Sequence, residues 1–231
     1  MSFTHMANGR NFKCKLRPAA IINSVPLSNV ELTANGWTMK ISSGWSKGLK
    51  ILTPDGLLTR PTRERVRQSA INMLQPWIAE ARVLDLFAGS GAVGIELVSR
   101  GASGAVFAEM SVEALKCLRV NASEAKLRAD KQGITLSQWA VQAKDAYILV
   151  NETPGATFDL IWADPPYEIA KDFLAKSGAH LRRILSDGGI FALESASGDQ
   201  AWLSDWGQSL GLQLLKQRVF GVSSISVWQK S

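Results

Sequence analysis

The chain of 231 residues predicts an α/β fold, a mostly parallel sheet with helices on both faces, led in by a small β-hairpin and a helix. Three observations carry that expectation. From Arg82 onward, short apolar runs rich in β-formers alternate with segments of helical period, the pattern of crossover connections between parallel strands. A glycine-rich stretch, Gly89-Ser90-Gly91-Ala92-Val93-Gly94, separates the first such run from the first such helix. A later run, Phe158–Ala163, is stopped by Asp164-Pro165-Pro166-Tyr167. Proline fixes φ and lacks an N–H, so the pair ends the ladder and holds an extended turn at the strand's carboxyl end. Open α/β sheets bind their ligands there.

Composition and charge narrow the classes. With 46% hydrophobic and 20% charged residues, the chain has ample material for a globular core. No stretch approaches the roughly 18 consecutive apolar residues of a membrane span, and no internal repeat is evident. Cys14 and Cys117 fit neither a disulfide framework nor a metal-ligand spacing, and His5 and His180 stand alone. No metal site is therefore predicted, and a reducing compartment is the default. The net charge of +6 is unevenly spread. Residues 1–81 hold eleven Lys/Arg against four Asp/Glu, a net of +7, whereas residues 82–231 hold fifteen against sixteen, a net of −1. Such an asymmetry is the footprint of a polyanion partner on a near-neutral body, the alternative being a solvated tail and helix face.

Taken in order, residues 1–38 show no sustained period and a single acid, Glu31, and are expected to be a poorly ordered leader. They lie upstream of an alternative start at Met39, or form an organellar transit peptide. Residues 39–81 form the second unit. Strand-like pieces at 40–42 and 49–52 flank a hairpin loop, Gly44–Gly48, from which Trp45 and Lys47 are expected to project together. Arg60-Pro61-Thr62 leads into a helix with Thr62 as N-cap and Val66, Ala70, Met73, Leu74 and Trp77 as its apolar stripe. Arg60, Arg63 and Arg67 then form either a phosphate clamp or a solvated face.

Residues 82–231 form the catalytic unit. Arg82–Phe87 reads as a buried strand, the glycine loop follows it, and Ala105–Ala108 is a second strand ending in Glu109, twenty residues after Gly89. Glycines let the backbone approach a ligand, the following helix offers free N–H groups, and a carboxylate at Glu109 can hold ribose hydroxyls. A nucleoside cofactor follows, without a choice between S-adenosylmethionine and NAD. The helix at 111–128 has Leu115, Leu118, Ala122 and Ala125 inward, and a third strand lies within 134–142. Asp145 either accepts from an adenine amine or caps a helix. A helix at 169–185, a turn at Ser186–Gly189, a strand at 190–194, an amphipathic stretch at 199–209 and two late strands at 212–219 and 224–229 complete the chain. At the Asp164 turn, an acid, two carbonyls and an aromatic ring suit a flat amine: Asp164 and the Pro165 carbonyl accept its N–H bonds while Tyr167 stacks on its ring.

These residues resemble the RsmD family of 16S rRNA guanine-N2 methyltransferases, class I enzymes that use S-adenosylmethionine. The resemblance runs from Met39 nearly to the C-terminus and rests on Arg60–Arg67, Leu84–Glu96, Glu109 and Asp164–Tyr167. It implies a Rossmann-like seven-stranded sheet with the cofactor across the carboxyl ends of its first strands. Asp85 with the loop Phe87, Ala88, Gly89, Gly91 and Gly94 would line the methionine side, Glu109 the ribose and Asp145 the adenine. Asp164, Pro165, Pro166 and Tyr167 would position the target amine, and Trp45, Lys47, Arg60, Arg63 and Arg67 would contact RNA. The implied partner is 16S rRNA or the assembling small subunit, acted on by a cytoplasmic monomer, with no membrane and no metal. Competing readings are a DNA adenine or protein-glutamine methyltransferase, a nicotinamide-dependent oxidoreductase and a non-catalytic RNA-binding module.

Overall fold

A computed structural model describes residues 3–7, 10–14, 38–54 and 61–231, with 3–7, 10–14, 38 and 61–63 as backbone alone. In the leader, β1 (Phe3–Ala7) and β2 (Arg10–Cys14) pair antiparallel with Ala7 opposite Arg10. The expectation of an irregular leader is corrected for these ten residues. The overlooked signal is the Asn8-Gly9 dipeptide between them, the sequence favoured for two-residue hairpins. A second hairpin follows, β3 (Thr38–Lys40) and β4 (Lys50–Leu52), with Met39 opposite Ile51. Its first strand starts two residues earlier than the sequence suggests. α1 spans Pro61–Leu74, and Pro76 terminates it through one turn of 3-10 helix at Gln75–Trp77.

The body then alternates as predicted: β5 (Arg82–Leu86), α2 (Ala92–Ser99), β6 (Gly104–Glu109), α3 (Val112–Lys131), β7 (Trp139–Ala143), α4 (Ala146–Glu152), β8 (Phe158–Ala163), α5 (Tyr167–Ile184), β9 (Leu185–Ala196), α6 (Gln200–Ser209), β10 (Leu212–Phe220) and β11 (Ser223–Lys230). The seven strands order as β10-β11-β9-β8-β5-β6-β7. All pairs from β9 to β7 are parallel, and β11 runs antiparallel between β9 and β10. The chain starts this sheet at β5, moves outward through β6 to β7, then returns to β8 on the other side of β5. That reversal is the topological switch point where such sheets leave a crevice. At the amino ends of β5 and β8, opposite this crevice, Arg82 and Ser186 bind Asp159, with both guanidinium contacts at 2.8 Å and the hydroxyl at 2.7 Å. The hydrogen-bonded Arg82 guanidinium holds the Asp159 carboxyl well below the usual carboxylate range.

The N-terminal elements share one core with the sheet. Ile41, Leu49 and Ile51 pack with Val66, Ala70, Ile71 and Leu74 of α1 and with Ile95, Leu97 and Val98 of α2. Here two expectations are corrected. Arg67 is buried at 8% exposure, with Nη1 3.2 Å from Glu96 Oε2 and Nη2 3.3 Å from the Lys40 carbonyl. It is an internal ion pair rather than part of a phosphate clamp, because the fully buried Glu96 needs a counter-charge. Trp45 does not project with Lys47. Its indole lies half-buried and donates to the Val98 carbonyl at 2.9 Å, while its backbone N–H donates to Ser99 at 3.0 Å. Capping the last carbonyls of α2 satisfies groups that the helix leaves open, and the ring covers apolar surface as it does so. Lys47 is exposed; Arg60 and the side chain of Arg63 lie outside the described residues.

Arg67→Ala is expected to lower unfolding free energy by about 3–5 kcal/mol, the usual cost of stranding one partner of a buried ion pair. Urea denaturation checks the value.

Candidate functional site

β5 ends at Leu86, and the chain leaves the sheet through Phe87 with φ of 59°, in the left-handed region that non-glycine residues avoid. Such strain costs about 1–3 kcal/mol and persists only where packing imposes it. The Phe87 ring is held edge-on against Phe173, centroids 5.0 Å apart. The Ala88 N–H then donates to Ala108 at 2.9 Å and the Gly91 N–H to Ala88 at 2.7 Å, closing a tight turn. Gly91, with φ of 78°, is the N-cap of α2. A Cβ at Gly94 would stand 2.5 Å from Phe107 and 2.9 Å from Asp85 Oδ2, so α2 packs against the strands only because that position is bare. At Gly89 an added Cβ would meet nothing within 4 Å. This is the open side of the turn, where a ligand can reach the backbone.

Three carboxylates lie around this turn at different depths. Asp85 is 1% exposed and accepts the Gly94 N–H at 2.9 Å. Burial pushes its carboxyl up to about 7; the Gly94 bond opposes the shift, and the neighbouring Glu109 charge adds to it. Glu109, half-exposed at the end of β6, accepts the Gly89 N–H on Oε2 at 2.7 Å and those of Met110 and Ser111 on Oε1 at 2.8 Å each. Sequence reasoning placed this carboxylate but missed its second task, which is to lock the glycine turn to the start of α3. Asp145 caps α4, its Oδ1 accepting from Tyr147 at 2.9 Å and Ile148 at 3.1 Å.

The Asp164 turn completes the rim. Leu86 is level with Ala108 on β6 and with Ala163 on β8, so Phe87, Glu109 and Asp164 leave the sheet at one height. With strands about 4.8 Å apart, the backbones of Asp164 and Glu109 face each other across roughly 10 Å, with the glycine turn between them. Asp164 is exposed, Pro165 buried and Pro166 exposed. Of the two proline carbonyls, that of Pro166 accepts the Ile169 N–H at 3.0 Å. α5 begins at Tyr167 itself, two residues earlier than expected, and holds that ring at the rim with 42% exposure. Met110, Ile148 and Ile169, exposed at 66%, 45% and 45%, add apolar surface around the mouth. Among the described residues no cluster of side chains could hold a metal ion, and no helix is long and apolar enough to cross a membrane.

Comparison with known proteins places the chain in a family. The model of the family described as conserved hypothetical protein 95 matches residues 39–229. An Escherichia coli K12 protein named ribosomal RNA small subunit methyltransferase D is 33% identical over 173 residues, 72% of this chain and 70% of that protein. The solved structure of Escherichia coli yhhF superposes with a TM-score of 0.65 at 27% identity, covering 84% of this chain and 99% of that one. A magnesium protoporphyrin IX methyltransferase from Synechocystis PCC 6803, solved with bound SAM, shares the fold at TM-score 0.52 and 18% identity, over 74% of this chain and 80% of its own.

A testable consequence concerns Asp85. Its carboxyl binds a proton more tightly in the folded chain, at about 7, than at its ordinary value of 3.8. Without ligand, stability is therefore expected to decline as pH rises from about 4 to about 7 and to level off above that. Urea midpoints across this range, compared with Asp85→Asn, check it: the variant loses this part of the slope.

Proposed function

The chain belongs to the RsmD family of class I methyltransferases, and from that premise we propose that it methylates the exocyclic N2 amine of a guanine in small-subunit (16S) ribosomal RNA, using S-adenosylmethionine. The observation that carries this reading is the placement of the Asp164–Tyr167 turn level with the glycine turn and Glu109 on one rim. An amine acceptor and a nucleoside site thus share a single crevice. A hydride-transfer enzyme has no use for the Asp-Pro-Pro-Tyr turn, and a mere RNA-binding module has none for the glycine turn.

The residues fit the cofactor. Gly89 leaves its backbone open to a ligand, the exposed Met110 and Ile148 offer apolar faces to an adenine, and the buried Asp85 suits a cationic amino-acid end. Glu109 takes the ribose, with a restriction. Three of its roughly four acceptor sites already hold backbone N–H groups. One ribose hydroxyl therefore reaches Oε2 directly, and a second requires Met110 or Ser111 to release its bond. Asp145 uses Oδ1 as a cap and keeps Oδ2 for the adenine amine. Bound S-adenosylmethionine supplies an electrophilic methyl group on a sulfonium. Asp164 and the Pro165 carbonyl accept the N–H bonds of the guanine amine, turning its lone pair out of conjugation and toward that methyl. Asp164 need not be a strong base, since the proton becomes acidic only as the new C–N bond would form and the sulfonium S–C bond break to leave a thioether, and it would then pass to Asp164 or to solvent. Positioning and preorganised acceptors carry the rate, and positioning alone can supply roughly 7–11 kcal/mol. The target base leaves its stack at a cost of a few kcal/mol, offset in part by Tyr167, where stacking is worth about 1–3 kcal/mol.

The enzyme acts in the cytoplasm as a monomer, on 16S rRNA or the assembling small subunit. Residues 1–38 are dispensable, 39–81 approach the RNA through Lys47, Arg60 and Arg63, and 82–231 carry the chemistry. Lys40, Lys50 and Arg65, also exposed, add positive charge to this unit, whereas Arg67 is tied to Glu96 and Trp45 to α2.

Mass mapping of rRNA nucleosides from cells with and without the gene tests the substrate: one N2-methylguanine is expected to disappear, and an unchanged rRNA map refutes the assignment. Asp164→Ala is expected to lower turnover by about 10²–10³ while S-adenosylmethionine affinity stays put, as when one preorganised transition-state partner is lost. Single-turnover rates and calorimetric titration separate the two effects.

A further inference from the structure

Beyond the crevice, α5 and α6 enclose an open groove of about 310 Å³ lined by Lys171, Ala175, Trp202 and Trp206. Tyr167, Lys171 and Ala175 are spaced four residues apart and exposed, so the target-stacking ring and this groove lie on one face of α5. α6 starts just beyond Ala196, the carboxyl end of β9, and so rises from the same rim as Asp164. Both indole N–H groups are already used, Trp202 on Asp199 at 2.8 Å and Trp206 on the Leu174 carbonyl at 3.1 Å. What the indoles offer a ligand is therefore ring surface, which stacks without reading sequence. Trp206 is fixed as a wall by ring contacts to Phe191 and Trp228, centroids 5.7 and 5.6 Å away. The small Ala175 leaves the space open. Lys171 Nζ stands 5.2 Å from the Trp202 ring centre. Among the described residues it makes no salt bridge, whereas its neighbour Lys176 is tied to Asp172 at 2.7 Å. A cation resting on an aromatic face suits a ligand that is flat and anionic at once.

We propose that this groove holds the nucleotide adjoining the target guanine in single-stranded substrate RNA, its base stacked on Trp202 and its phosphate paired with Lys171. The assignment rests on the methyltransferase reading above and extends its site. Four residues of helix separate Tyr167 from Lys171 by about 6 Å, a distance suited to one unstacked nucleotide. The substrate would thus be gripped at two consecutive positions, and the second grip would hold the strand while the target base is turned into the crevice. Because a stacked base and a phosphate carry no base-edge readout, this grip contributes affinity and orientation rather than sequence choice.

Two measurements on the full chain test it. In steady-state methylation of rRNA from cells lacking the enzyme, Trp202→Ala is expected to raise the KM for RNA about 5- to 100-fold, the range spanned by one lost base stack. Trp202→Phe restores most of this, and Lys171→Ala reduces the slope of log affinity against log salt by about one. S-adenosylmethionine affinity stays unchanged in all three. The second measurement is fluorescence anisotropy with a labelled ten-nucleotide single-stranded oligoadenylate RNA, which the wild-type chain should bind and Trp202→Ala and Lys171→Ala should bind more weakly. Equal oligonucleotide binding by wild type and folded variants overturns the proposal, as does absence of binding by the wild type. Loss of binding that accompanies melting, and that Trp202→Phe does not restore, overturns it as well. If the wild-type chain methylates no rRNA, the enzymatic reading falls, while the anisotropy series still reports on the groove.

Discussion

Glu96 is a carboxyl group at zero exposure, and the fold must satisfy it from three directions. The Ser42 N–H and hydroxyl reach it from the N-terminal hairpin at 2.8 and 2.5 Å, Arg67 from α1 at 3.2 Å, and Arg100 from the end of α2 at 3.2 Å. An uncompensated carboxylate at that depth would cost several kcal/mol, so these elements dock together or not at all. Glu96 sits two residues after Gly94, whose N–H binds Asp85. The helix that opens the cofactor crevice is therefore oriented from behind by the same residues that assemble the N-terminal unit. What reads in the sequence as an appended basic arm is part of the mechanical support of the glycine turn.

On the crevice side, depth sorts the acids into different work. Asp85 is buried, and burial makes its charge conditional on what binds beside it. Glu109, half-exposed, is held by three backbone donors and gives the turn its shape. Asp164 stands exposed at the rim, at the end of β8. The strained Phe87 backbone links them, because the chain must leave β5 abruptly for the loop to pass between the other two acids.

Much of this was legible in the sequence because it is local. The alternation from Arg82, the inner stripe of Leu115, Leu118, Ala122 and Ala125, and the two late strands all follow from short-range periodicity, and each is found in place. The positions of Glu109 and Asp164 on the rim followed from strand ends. What the sequence hid depends on distant partners. Arg67 looks like one more arginine on a solvated helix face until Glu96, twenty-nine residues on, is placed beside it. Trp45 looks like a projecting ring until the carbonyls of α2, fifty-three residues away, need a donor. Ser186–Gly189 reads as a turn, and although β9 runs from Leu185, these four residues bulge out of the ladder between Leu185 opposite Phe158 and Ile190 opposite Leu160, with Gly188 at φ of 74°.

Asn121 shows what this interlocking entails. Its amide accepts the Leu52 N–H at 2.8 Å and donates to the carbonyls of Leu52 and Ser90, each also at 2.8 Å. One side chain thus closes the end of β4 and pins the middle of the glycine turn. On the proposed reading, a ligand that stilled the turn would also steady the hairpin, and a polymer that gripped the hairpin would steady the turn. Linkage makes such help mutual and equal in size. A cofactor at the turn and a polymer at the hairpin would then recruit one another through a single amide, over and above the contact they make in the crevice.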